Sequence, residues 1–264
     1  MSDTDAIRQT YADSGVDTDA AAAGLSGLLE WVARTKSFRE GVGEQTVPNG
    51  FFATVLRLNA ELGLAISTDG VGSKSVLAQQ SGDFESIGWD CVAVNVNDVV
   101  CTGAQPFGIV DYIALQQPHH DLLTGLGKGL HDGAERARVS VVGGELSQHP
   151  DTLLGPRDGY AFDISGTCVG LLEHREPITG SRIRPGDVVI GFASNGVHAN
   201  GLTLARHVLL GGQIQEIGRY LPECGRTVGQ ELLRRTHIYV PEVLAMLAAG
   251  VDVRGLAHIS GDGL

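Results

Sequence analysis

The stretch GLAISTDGVGSK (63–74) joins a short apolar run to an acid, Asp69, and then to Gly70, Gly72 and Lys74. A run of four to eight apolar residues bounded by glycines reads as a strand entering a tight turn, and the following SVLAQQ reads as the start of a helix. A strand, a glycine turn and a helix in succession indicate an α/β unit. Strand-like runs recur downstream at FGIVDYIAL (107–115), SVVGG (140–144) and YAFDISGTCVGLL (160–172), with helical stretches at 85–101 and 120–137. This alternation predicts a mixed α/β domain over 51–172.

Upstream, residues 1–50 are polar and glycine-dotted. A modest helical stripe runs through Leu25, Leu28, Leu29 and Val32, and the segment ends in the turn formers GVGEQTVPNG (41–50). We expect an arm here rather than a core. Downstream, EHREPITGSRIRPG (173–186) is charged and holds two prolines and two glycines, as a linker does. The α/β pattern restarts over 187–264. DVVIGFAS (187–194) and VDVRGLAHIS (251–260) read as strands, and 201–211, 227–235 and 239–249 as helices. The sequence stops at GDGL soon after an apolar run, so this second domain is expected to be incomplete.

A net charge of −12 disfavours binding to nucleic acid or to an anionic membrane surface. With 42% hydrophobic and 19% charged residues the chain is too apolar for disorder. Glycine fills 37 of 264 positions without a triplet period, which excludes collagen and assigns the glycines to turns and close approaches. Cys91, Cys101, Cys168 and Cys224 are widely spaced and form no CxxC pair, so structural zinc is not expected. The acidic N-terminus lacks a leader pattern, and no apolar run reaches membrane-spanning length. These features predict a reduced, cytoplasmic protein.

Chemistry concentrates at a few positions. Asp69 at a strand end, Gly70 and Gly72 in the turn, and Lys74 suit a metal-bound polyphosphate, while an ordinary helix cap would use the same acid. On the helix through 87–101, Ile87, Cys91, Val94, Asn95 and Asp98 form one stripe, so Asp98 points where the apolar residues point and needs a partner. Glu145 follows Gly143 and Gly144 after another apolar strand, and Asp111 shares a strand face with Ile109 and Ile113. Asp69, Asp98 and Glu145 are oxygen donors suited to Mg²⁺. In FASNGVHANG (192–201), Asn200 is placed to cap the next helix, and His198 lies where anions bind or a proton can move. His258 repeats that placement in AHISGDGL.

The chain resembles the phosphoribosylformylglycinamidine cyclo-ligase (AIR synthetase) family. YADSGVD, STDGVGSK, VNVNDVVCTGAQP, VDYIAL, VVGGE, FDISGTCVG, GDVVIGFASNGVHANGL, THIYVPEVL and AHISGDG follow in family order over residues 11–263. The resemblance implies an ATP-dependent ring closure, in which formylglycinamidine ribonucleotide gives aminoimidazole ribonucleotide, ADP and phosphate. It implies that Asp69, Gly70, Gly72, Lys74, Asp98 and Glu145 serve ATP and Mg²⁺. Asn200, Gly143 and Gly144 would face substrate, and His198 and His258 the reacting centre. It further implies two α/β domains, the first sharing a barrel with a twin in a homodimer. Three departures stand out: Phe51 and Phe52 in PNGFFAT, Leu146 in GGELSQHP, and Asp262 between Gly261 and Gly263. Alternatives are another ATP-using member of the superfamily, selenophosphate synthetase-like or thiamine-monophosphate kinase-like, and a truncated, non-catalytic nucleotide-binding dimer.

Overall fold

The glycine turn at 70–73 does connect a strand to a helix. The computed structural model describes residues 18–173, 176–211 and 213–261, so YADSGVD (11–17), Asp262 and Gly263 lie outside the described residues. Helix α1 (Thr18–Arg34) comes first, and its described side chains are all exposed, including the Leu25, Leu28, Leu29 and Val32 stripe. Strands β1 (Thr54–Arg57) and β2 (Leu62–Gly70) form a hairpin, followed by α2 (Lys74–Ser81) and α3 (Glu85–Cys101). Then come β3 (Gln105–Leu115), α4 (His120–Ala137), β4 (Ser140–Gln148) and β5 (Phe162–Glu173).

The strands assemble in the order β1-β2-β5-β3-β4. Only β3 and β4 are parallel, as the crossover through α4 requires, so the sheet is mixed, and it stays open. One face carries Ala65, Ile109, Ile113, Leu115, Phe162, Ile164 and Cys168, all buried beneath α3 and α4. The two helices approach closely because glycines line the crossing. A Cβ on Gly88 would strike the Leu126 carbonyl, and one on Gly129 would strike the Glu85 carbonyl. The opposite face keeps Val110 and Tyr112 exposed.

Beyond the linker the expected strands do not form. DVVIGFAS runs without a partner strand among the described residues, and Val188 and Val189 are 83% and 82% exposed. VDVRGLAHIS is likewise unpaired. A strand owes its stability to hydrogen bonds with a neighbour and to a buried face, and neither segment has them here. The helices do form: α5 (Leu202–Leu210), then a ribbon of β6 (Tyr220–Leu221) and β7 (Arg226–Thr227), then α6 (Val228–Leu232) and α7 (Val240–Ala248). Helices satisfy their own backbone, so α5 and α7 need only bury Leu202, Leu210, Val240 and Val243.

Candidate active site

Asp69 lies at the end of β2, where Asn95 of α3 grips its backbone from both sides. The Asp69 amide donates to Asn95 Oδ1 (3.0 Å), and Asn95 Nδ2 donates to the Asp69 carbonyl (3.1 Å). The carboxylate accepts from the Gly70 amide at 2.7 Å. Burial nevertheless holds the Asp69 pKa above the ordinary carboxylate value. The nearby Asp98 charge adds to the rise, while the Gly70 bond and His258 oppose it.

One turn further along the same α3 stripe, Asp98 finds the partner its position requires. Its Oδ1 lies 2.8 Å from His258 Nδ1, and its Oδ2 accepts from Ser67 Oγ at 3.1 Å. Both side chains are largely buried, at 14% and 8% exposed. The pair therefore joins α3 of the first domain to the AHIS segment of the second.

His198 occupies the facing loop in a left-handed backbone conformation, φ +64°. Its Nε2 lies 2.6 Å from Asn195 Oδ1 and 3.1 Å from Ser194 Oγ. Burial, with the positive groups of Lys74, His258, His237 and Arg234 around it, brings its pKa down to about 4. At neutral pH His198 is an uncharged imidazole that can exchange hydrogen bonds but does not bind anions as a cation. His237 is the third histidine at this place, its amide facing His198 Nε2 at 3.5 Å.

Two expected site residues, Lys74 and Glu145, face elsewhere, and Asn200 does not take its expected capping role. Lys74 does not face the turn. It is fully buried, donating to Asp90 Oδ2 at 2.5 Å and to the Arg234 carbonyl at 2.6 Å. Asn200 does not cap α5, whose N-cap is Gly201 in the left-handed region, with no side-chain bond to the helix. Glu145 points away from Asp69 and Asp98 because of a β-bulge. Ile109 pairs with Val141 but Val110 pairs with Gly143, so one residue is inserted and every later side chain on β4 changes face. Gly144 thereby opposes Asp111, and a Cβ there would lie 2.6 Å from the Asp111 carboxylate. Glu145 opposes the exposed Tyr112 and accepts from the Leu146 amide. Gly143 sits at the bulge, with Val110 Cγ1 nearby.

No cluster of three or more metal-ligating side chains exists among the described residues. Asp69 and Asp98 remain as two hard oxygen donors whose mutual repulsion a divalent cation would relieve. Gly72, at φ +66°, has open space where its Cβ would be, so a ligand can approach the backbone there. Asp111 is also held above its ordinary pKa by burial.

Residues that motif reading missed include Ser67, Asn195, His237 and Asp90. For Asp90 a signal existed. Asp90 and Asn97 are polar, seven residues apart on a largely apolar helix, and both are buried.

Residues 52–172 match the model for the N-terminal domain of AIR synthase related proteins, and residues 184–264 match that for the C-terminal domain. A phosphoribosylformylglycinamidine cyclo-ligase of Thermococcus kodakarensis is 42% identical over 256 residues, covering 97% of this chain and 73% of that protein. The chain belongs to the phosphoribosylformylglycinamidine cyclo-ligase family. The Methanobrevibacter smithii cyclo-ligase is 39% identical, covering 96% of this chain and 72% of that protein. Among solved structures, a thiamine monophosphate kinase from Aquifex aeolicus shares the fold, with TM-score 0.54 and 22% identity. It is matched over 83% of this chain and 63% of that one, so the chain spans less than two thirds of this structural relative.

Phe52 is linked to Asp98 through Ser67. Phe51 and Phe52 meet edge to face with ring centroids 6.1 Å apart, and the Phe52 carbonyl accepts from Ser67 Oγ (3.3 Å), the hydroxyl that also reaches Asp98. Leu146, beside Glu145, is exposed on the edge strand.

Proposed function

We propose that this chain, like its family, closes the imidazole ring of formylglycinamidine ribonucleotide at the expense of ATP, giving aminoimidazole ribonucleotide, ADP and phosphate. The observation that carries this reading is the convergence of the Asp98–His258 pair with Asp69 and the Gly70–Gly72 turn. Phosphorylation of the formyl oxygen creates a leaving group, and the amidine nitrogen then attacks that carbon, loses a proton and expels phosphate.

Phosphoryl transfer asks chiefly for positioning and charge neutralisation. Asp69 and Asp98 are the residues that would hold Mg²⁺, which when bound neutralises phosphate charge. Gly72 leaves room for phosphate oxygens to approach the backbone of the turn, while the Gly70 amide holds the Asp69 carboxylate. Asp98 accepts from His258 Nδ1, which leaves Nε2 as the acceptor for the amidine proton. His198, neutral and fixed by Asn195, is placed to hydrogen-bond substrate rather than to neutralise phosphate.

We further propose a homodimer formed through the outer sheet face of Val110, Tyr112 and Val142, all exposed. A cytoplasmic location is supported by free cysteines at 91, 101, 168 and 224, and no described helix is long and apolar enough to cross a membrane. The test is ADP release by the purified chain with ATP, Mg²⁺ and formylglycinamidine ribonucleotide, each omitted in turn. ADP that appears only with all three present supports ring closure, whereas release independent of the ribonucleotide points to another ATP-using reaction.

A further inference from the structure

Segment 234–239 (RRTHIY) has no helix or strand of its own, yet side chains from elsewhere bond to the backbone of five of its six residues. Lys74 Nζ donates to the Arg234 carbonyl (2.6 Å) and Asn195 Nδ2 to the Arg235 carbonyl (2.7 Å). The Thr236 amide donates to Asp90 Oδ1 (2.6 Å), and Trp89 Nε1 to the Thr236 carbonyl (2.7 Å). Asn97 takes both the His237 carbonyl (2.8 Å) and the Tyr239 amide (3.0 Å). Two of these anchors, Lys74 and Asp90, are bonded to each other, and neither side chain has any exposed surface.

A buried ion pair contributes little net stability compared with apolar residues of the same volume, and its best-attested use is to fix one arrangement among several. Here the two charges and the segment they hold come from three places that must agree. Lys74 is the first residue after the turn carrying Gly70 and Gly72, Asp90 belongs to the helix that carries Asn95 and Asp98, and the segment they hold presents His237 to His198. We propose that Lys74 and Asp90 are a positioning pair, which sets segment 234–239 and the histidine loop in register with the glycine turn.

The inference rests on the ring-closure reading for its activity test, and a second readout keeps the two separable. The variant is Lys74→Met with Asp90→Asn, which removes both charges, keeps the lysine volume and keeps an acceptor for the Thr236 amide. We expect it to unfold cooperatively like the parent, with kcat lower by about tenfold to a hundredfold and KM for ATP changed by less than about threefold. The amides of Thr236 and Tyr239 should exchange about tenfold faster or more, while those of α4 do not change. Parental kcat, or parental exchange at those two amides, overturns the proposal. A parent chain that itself releases no ADP counts against ring closure, and the exchange comparison then decides the pair by itself.

Discussion

His258 reaches Asp98 across 160 residues of sequence, Nδ1 to Oδ1 at 2.8 Å, and the contact joins a helix of the first domain to an irregular segment of the second. Asp98 stands on the buried stripe of α3 that carries Ile87, Cys91 and Val94, where an isolated carboxylate is costly. Ser67 and His258 together offset that cost and fix the histidine ring.

Asp98→Asn should separate orientation from binding. The amide preserves volume but no longer draws the Nδ1 proton as an anion does, so the preferred tautomer of His258 is lost. We expect kcat for ring closure to fall by about a hundredfold or more, with a smaller change in KM for the ribonucleotide. Steady-state ADP release measures both, and a parental kcat removes the pair from the mechanism.

His198 makes stability depend on pH with a definite sign. Its folded pKa of about 4 lies below the ordinary value of 6.5, so between these values the unfolded chain binds the additional proton. The contribution is present above pH 6.5 and is lost as pH falls towards about 4. Urea unfolding at pH 7 and pH 4.5 should therefore show a smaller difference in His198→Gln than in the parent. An equal difference in the two proteins contradicts the assignment.

Two glycines of α4 should respond to alanine in opposite directions. At Gly129 the new methyl would collide with the Glu85 carbonyl and lie 2.7 Å from the Trp89 amide, so the helices must separate. We expect a loss of about 1–3 kcal/mol or more. Gly127 is exposed and meets nothing within 4 Å, so Gly127→Ala should gain about 0.5–1 kcal/mol through helix propensity. Thermal melts of the two variants provide the comparison.

The outer sheet face offers a test of assembly. Val110 and Tyr112 are 41% and 43% exposed, and Val110→Glu would place a charge in the proposed interface without touching the helix-covered core. Sedimentation should show the parent as a dimer and the variant at half that mass. A dimer unaffected by the charge locates the contact elsewhere.

Helical spacing made the chemistry of α3 legible. Ile87, Cys91, Val94 and Asn95 are all buried, and Asp98 ends the same stripe, as their positions required. Strands β2 to β5 and helices α4, α5 and α7 also follow from local pattern, because apolar periodicity and glycine turns are properties of neighbouring residues. The partners of the charged groups were not legible in this way. Lys74 sits beside a glycine turn in sequence, but Asp90, sixteen residues away, lies close enough in the fold to take its charge.

The sequence by itself determined the family, the α/β class, and the acids and histidines worth examining, because motif order and periodicity are local and survive without coordinates. Tertiary structure alone decided where those side chains point. One residue inserted in β4 turned Glu145 to the opposite face from Asp69, and the lack of a partner strand left 187–194 and 251–260 irregular rather than in a sheet. Facing is set by register, and pairing by neighbours distant in the chain, so neither is encoded in any short window of residues.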